Sequence, residues 1–154
     1  NYYSMQKRIQ HKLRVKKALK KREGVKNFKP TIAQAQSWFS VLNRALFGNR
    51  LWMPDIYVKG IHNARGQIVY DWDGRVTPVG TYNSRKIPYH NHTLWIEMEL
   101  ASKFRTWKDF IETLAHEMVH LYQMQIQKDP YANHNKRFYA WKQKFSTIGL
   151  NLER

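Results

Sequence analysis

Cysteine is absent from this 154-residue chain. Disulfide bridges and thiolate metal sites are thereby excluded, and any metal must be held by histidine and carboxylate side chains. The absence also suits a reducing compartment. Acids are scarce: 11 Asp and Glu stand against 27 Lys and Arg, for a net charge of +16. Such an excess favours a polyanionic partner, nucleic acid before an anionic membrane surface. No stretch approaches the roughly 18 uninterrupted apolar residues of a membrane-spanning helix. No signal peptide is visible. The expected location is the cytoplasm or an association with the nucleoid or nucleus, neither secreted nor in a membrane.

What is present describes a folded protein. Apolar residues make up 42% and aromatic residues 14%, enough for one domain with a real core. Six Trp and nine Tyr can build that core, line a cleft or stack on bases. The positive charge is uneven. Residues 7–29 carry 11 Lys and Arg against the single acid Glu23, a local net of +10. Residues 5–23 lack helix breakers, and Met5, Ile9 and Leu13 recur four apart with Leu19 extending the series poorly. This predicts a basic helix with a thin apolar stripe, ending near Gly24. Its cations, Lys7, Arg8, Lys12, Arg14, Lys16, Lys17, Lys20, Lys21 and Arg22, are the candidate contacts to a phosphate backbone. The alternative is a solvated basic face. The one-signed charge favours the nucleic-acid reading, and residues 1–29 are read as a basic segment ahead of a domain at 30–154.

Thr31 and Gln34 form a capping-box pattern. Ala35, Trp38, Phe39, Leu42 and Leu46 then keep a helical period up to Gly48, which predicts an amphipathic helix over about 32–47. Residues 51–100 turn β-rich. The runs 56–58, 67–70, 79–82 and 93–98 predict three or four strands in a small, mostly antiparallel sheet. Asp71-x-Asp73-Gly74 is a turn rather than a calcium loop, since the later ligands are missing. His62, His90 and His92 sit near strand ends and read as surface histidines. A second long helix opens at Thr106 and Asp109, with a core stripe of Trp107, Phe110, Ile111, Leu114, Met118, Leu121 and Tyr122. Phe138, Trp141, Phe145 and Ile148 predict a final helix ending at Gly149. The fold class is α+β.

The chemistry lies in His116-Glu117-Met118-Val119-His120. On a helix, residues four apart project about 40° from each other on one face. Two imidazoles so placed can bind one tetrahedral zinc ion. Glu117, beside His116, is poorly placed as a ligand but able to reach a water as general base. His116 points about 200° away from Leu114 and Met118, off the core stripe. His134 follows 14 residues after His120, at the head of the final helix. A turn of that length can bring it back as third ligand, leaving one position open. Three His with an open site make a single Zn²⁺ the default.

Three blocks together resemble the SprT-like (Spartan-type) metalloprotease family. They are Leu42-Asn43-Arg44-Ala45-Leu46-Phe47-Gly48-Asn49-Arg50-Leu51 with Pro54, then Leu114 to His120, then His134-Asn135-Lys136-Arg137-Phe138. Asn135 stands where the family has Gly, and Asn is the next-best residue for a left-handed backbone. The resemblance covers about residues 32–150 and implies a zincin-like metalloprotease core. It also implies zinc held by His116, His120 and His134, catalysis through Glu117, and substrates that are DNA-bound proteins. The Cys-rich element many relatives carry after the core is not in this chain. The expectation is a zinc metalloprotease acting on DNA-associated proteins, with single- or double-stranded DNA left open. The competing reading is a basic DNA- or RNA-binding protein, viral in one version, whose metal site is structural or vestigial. Tyr122, Tyr131 and Tyr139 are expected to pack in the core.

Overall fold

A computed structural model describes residues 2–61, 65–73, 86–89, 92–129 and 131–152. Helix α1 spans Tyr2–Arg22, and strand β1 (Lys26–Phe28) leads to helix α2 (Ile32–Phe47). Strands β2 (Asp55–Lys59), β3 (Gly66–Asp73), β4 (Lys86–Tyr89) and β5 (His92–Ala101) form the main sheet. Strand β6 (Phe104–Thr106) enters helix α3 (Trp107–Gln125), and two short helices follow, α4 (Lys136–Tyr139) and α5 (Lys142–Ser146). The architecture is α+β.

Helix α1 docks differently from its apolar pattern. Met5, Ile9 and Leu13, the expected stripe, are 53%, 53% and 59% exposed, whereas Val15 and Leu19 are buried. The stripe belongs to the half of the helix that touches no core. Attachment comes from one turn further on, where Val15 and Leu19 enter the core. There the Arg22 guanidinium also lies 5.6 Å from the Trp38 ring and 5.9 Å from the Trp107 ring. These cation–π contacts tie α1 to α2 and α3 together. β1 and β6 pair antiparallel, Lys26 with Thr106 and Phe28 with Phe104. At three residues each they are too short for a periodic signal.

Helix α2 matches its expected bounds because both ends are chemically specified. Thr31 Oγ1 accepts from the Gln34 amide at 3.1 Å, and Gln34 Oε1 accepts from the Thr31 amide at 3.0 Å. Gly48 closes the helix in the left-handed region at φ 61°.

β5 is the centre of the main sheet, in the order β2-β5-β3 with β4 also on β5. β3 and β4 pair with it antiparallel, while β2 runs parallel, Asp55 to Glu97 through Lys59 to Ala101. The expected strand at 79–82, together with His62, Gly74 and His90, lies outside the described residues; His92 opens β5. Ile96, Met98 and Leu100 are fully buried against α3 and α2 residues.

The expected single C-terminal helix is two. The Trp141 amide bonds the Phe138 carbonyl at 3.2 Å, a three-residue step that tightens the chain between α4 and α5. The tightening seats Trp141 against Phe47 (ring centroids 4.6 Å) and Tyr122 (4.8 Å). Phe138, Phe145 and Ile148 are fully buried as their spacing predicts. Among the described residues, no helix is long and apolar enough to cross a membrane.

Candidate metal centre

Helix α3 carries the centre because its two faces do different work. Thr106 caps it, its hydroxyl accepting from the Asp109 amide at 3.0 Å. Phe110, Ile111, Leu114 and Met118 are fully buried on the core side. His116 and His120 leave from the other face, half-buried, with ring centroids 5.0 Å apart.

His134 comes back to them. The connecting loop bends through left-handed backbone at Lys128 (φ 58°) and Ala132 (φ 46°). Non-glycine residues adopt that region only when their surroundings enforce it. Here Asp129 Oδ1 accepts from the amides of Tyr131 at 3.0 Å and Ala132 at 3.4 Å. His134 Nε2 then lies 3.0 Å from His120 Nε2 and 3.3 Å from His116 Nε2. Three ring nitrogens about 3.3 Å apart are what tetrahedral bonds of roughly 2.0–2.1 Å to one ion require. His116, His120 and His134 could therefore hold a metal ion.

The surroundings hold the His116 and His120 imidazoles neutral. Burial, then the neighbouring His120, His134 and Arg65, press His116 down to about 3. Burial likewise lowers His120, with Gln123 opposing it. Neutral imidazole is the metal-binding form. Phe138, fully buried, lies beneath all three rings, at centroid distances of 4.9, 4.7 and 4.6 Å from His116, His120 and His134.

Glu117 faces β3. Its carboxyl Oε1 is 4.0 Å from His116 Nε2, beyond ligand distance for an ion held by the histidines. Burial raises it to about 8, partly offset by a hydrogen bond from the Ile68 amide. That amide belongs to β3 and is turned away from β5, so the edge of β3 opposite β5 faces the centre. Gly66 makes the approach possible. A Cβ there would stand 2.7 Å from Thr113 Cγ2, 3.2 Å from Leu100 Cδ2 and 3.3 Å from Glu117 Cγ. Gly66→Ala should destabilise the fold by about 1–3 kcal/mol through overpacking. Adding Thr113→Ala should recover part of the loss in denaturant unfolding.

Two residues of the centre carried no legible sign. Gln123, fully buried, donates from Nε2 to the Asn133 carbonyl at 3.0 Å, and more weakly to Asn135 Oδ1 at 3.5 Å. Its Oε1 must then face His120 Nδ1, 3.0 Å away. This makes Nδ1 the protonated nitrogen and leaves Nε2 bare. One amide thus orients His120 and ties down the loop that brings His134. Asn135, in the position of the family glycine, has φ −111° and caps α4 by accepting from the Phe138 amide. Its side chain, rather than a left-handed backbone, is what the site uses. Gln123 and Gly66 could have been found only from the fold. Of the tyrosines expected in the core, Tyr131 is 74% exposed. Gln123→Met keeps the volume and removes both hydrogen bonds; metal affinity, read by competition with a chromophoric chelator, should fall about 10–100-fold.

A three-histidine cluster built from an HExxH helix and the loop that returns to it, with a buried acid between it and the edge of a mixed sheet, defines a zincin-like metal-site protein. A family model for the SprT-like family matches residues 35–154. The chain belongs to the SprT-like family. Comparison with curated proteins gives no match.

Proposed function

We propose that this protein is a zinc-dependent endopeptidase acting on DNA-associated proteins. The observation that carries the peptidase reading is Glu117, an acid nine-tenths buried beside three histidines yet too far from them to share a ligand position. A purely structural site needs its ligands alone. A bound zinc would supply Lewis acidity, easing deprotonation of a water and polarising the scissile carbonyl. Glu117 takes the proton of the attacking water and returns it to the leaving amine. Glu117 accepts the proton as the ionised carboxylate, the form that a cation held by the neighbouring histidines would favour. The Ile68 amide keeps the carboxyl turned toward the cleft. The outer edge of β3, which among the described strands pairs only with β5, can take an extended substrate by strand addition.

The DNA part rests on charge. The net +16, with nine cations on α1, would recruit the enzyme to nucleic acid and to proteins bound there. The test is cleavage of a basic DNA-binding protein by pure enzyme, with and without DNA and with a metal chelator. Chelator-sensitive fragments that appear faster with DNA are expected. Salt-dependent DNA binding without fragments under any condition would favour the nucleic-acid-binding protein with an inert metal site.

A further inference from the structure

Cations held in a defined geometry are found away from the outer face of α1. They lie at the corner where α2 runs toward β2. Arg50 there is fixed by three contacts. Its Nε donates to the Phe47 carbonyl at 2.8 Å, its Nη1 donates to the Tyr122 hydroxyl at 3.0 Å, and its guanidinium carbon sits 4.9 Å from the Tyr122 ring centroid. Tyr122 packs edge-on against Trp141, and Lys144 of α5 holds its ammonium 5.0 Å from that Trp141 ring. Two cations from distant parts of the chain therefore rest on one aromatic pair. Burial first, then the like charges of Arg50 and of Lys12 on α1, make the Lys144 ammonium easier to deprotonate. Cations gathered from three elements repel one another, and an anion laid across them relieves that repulsion.

Beside them stands an exposed aromatic on a rigid mount. The Leu51–Trp52 backbone is gripped by two buried amides. Asn43 brackets Leu51, donating to its carbonyl at 3.0 Å and accepting from its amide at 3.2 Å. Gln125 brackets Trp52 in the same way, at 2.8 Å and 2.9 Å. Trp52 is nevertheless 45% exposed. Arg50 and Trp52 are both exposed and flank the buried Leu51, two residues apart on this pinned segment. Fixed cations next to a rigid, exposed indole match what single-stranded nucleic acid offers, a phosphate chain with unstacked bases. A duplex would offer the phosphates alone, with its bases closed to stacking.

We propose that Trp52, Arg50 and Lys144 form a binding site for single-stranded nucleic acid, the indole stacking a base and the two cations taking its phosphates. The proposal rests on the nucleic-acid reading above and narrows it to one strand type and one place, separate from the outer face of α1.

The test is fluorescence anisotropy with a labelled oligothymidylate of about 15 nucleotides, with salt varied between about 50 and 200 mM. Lys144→Gln and Arg50→Gln should each reduce the slope of log K against log salt by about 0.7. Trp52→Ala should weaken binding about 5- to 150-fold without changing that slope, and Trp52→Phe should restore most of it. Thermal unfolding of each variant controls for folding. Should Arg50→Gln fail to fold, the exposed Lys144 and Trp52 carry the test. Wild-type binding that these changes leave untouched, but that Lys16→Gln with Lys20→Gln abolishes, would overturn the site and spare the nucleic-acid reading. Preference for duplex, or for phosphatidylserine vesicles over the oligonucleotide, would overturn it as well. No binding to any oligonucleotide would remove both the site and the reading it rests on.

Discussion

Glu117→Gln should leave metal content unchanged and lower peptide cleavage by about 10²–10⁴-fold. The amide keeps the volume of the carboxyl in a pocket where Gly66 and Thr113 leave none to spare, so the fold and the histidine cluster should persist. What is lost is a group able to accept a proton. Metal analysis beside a cleavage assay separates the two. The same substitution has an opposite effect on stability in metal-free protein, and its sign follows from burial. The folded-state value of about 8 lies above the ordinary carboxylate value of 4.5, so the folded state binds the proton more tightly than the unfolded chain. Stability therefore falls as pH rises from about 4.5 to about 8, while the unfolded carboxyl is ionised and the buried one is not. Gln cannot ionise and escapes this penalty. The two proteins should be about equally stable at pH 4. By pH 8 the variant should lead by an amount on the order of 3–5 kcal/mol, at about 1.4 kcal/mol per pH unit. His116, pushed in the other direction to about 3, gains stability as pH rises toward its ordinary value of 6.5. It does so equally in both proteins, so it drops out of the comparison. Denaturant unfolding at several pH values in the presence of chelator measures the difference; a constant or shrinking gap would contradict the buried position of the acid.

How much of this was readable in advance depended on whether the information was local. Helix α2 was placed to the residue because Thr31, Gln34 and Gly48 specify its ends with side-chain chemistry. The α3 stripe was readable because a helix with one buried face writes its period into the sequence. The same logic misled at α1. Met5, Ile9 and Leu13 keep a helical spacing, but spacing says nothing of whether a partner surface exists, and here the helix is held by Val15, Leu19 and Arg22 instead. The parallel pairing of β2 with β5, and the short β1–β6 pair, depend on contacts between distant segments that no local pattern encodes. The three clustered histidines were legible because HExxH fixes two of them by helical geometry and the third needed only a return turn. Gln123, Gly66 and the Asn43 and Gln125 amides were not. Their roles are set by what lies opposite them in space, and a lone glutamine or glycine has no spacing to betray it.

His134→Ala should abolish stoichiometric metal binding, with a loss of affinity greater than the roughly 10–100-fold expected for a supporting residue such as Gln123. The remaining pair, His116 and His120, is offered by α3 however the loop lies, so any residual affinity measures what two imidazoles supply alone. The third nitrogen has been brought in at a conformational cost, through left-handed backbone at Lys128 and Ala132, held by Asp129 and by Gln123. Because metal binding free energy is coupled to the folded state, a saturating ion stabilises the wild type and should raise its thermal midpoint. The variant's midpoint should not respond to the ion. In metal-free protein that advantage disappears. His134 is exposed there, so the metal-free variant should be about as stable as metal-free wild type, within about 0.5 kcal/mol. Calorimetry with and without zinc distinguishes these cases. A midpoint that drops equally in both conditions would mean that His134 serves the fold rather than the ion, and the three-ligand centre would then reduce to a two-histidine site on α3.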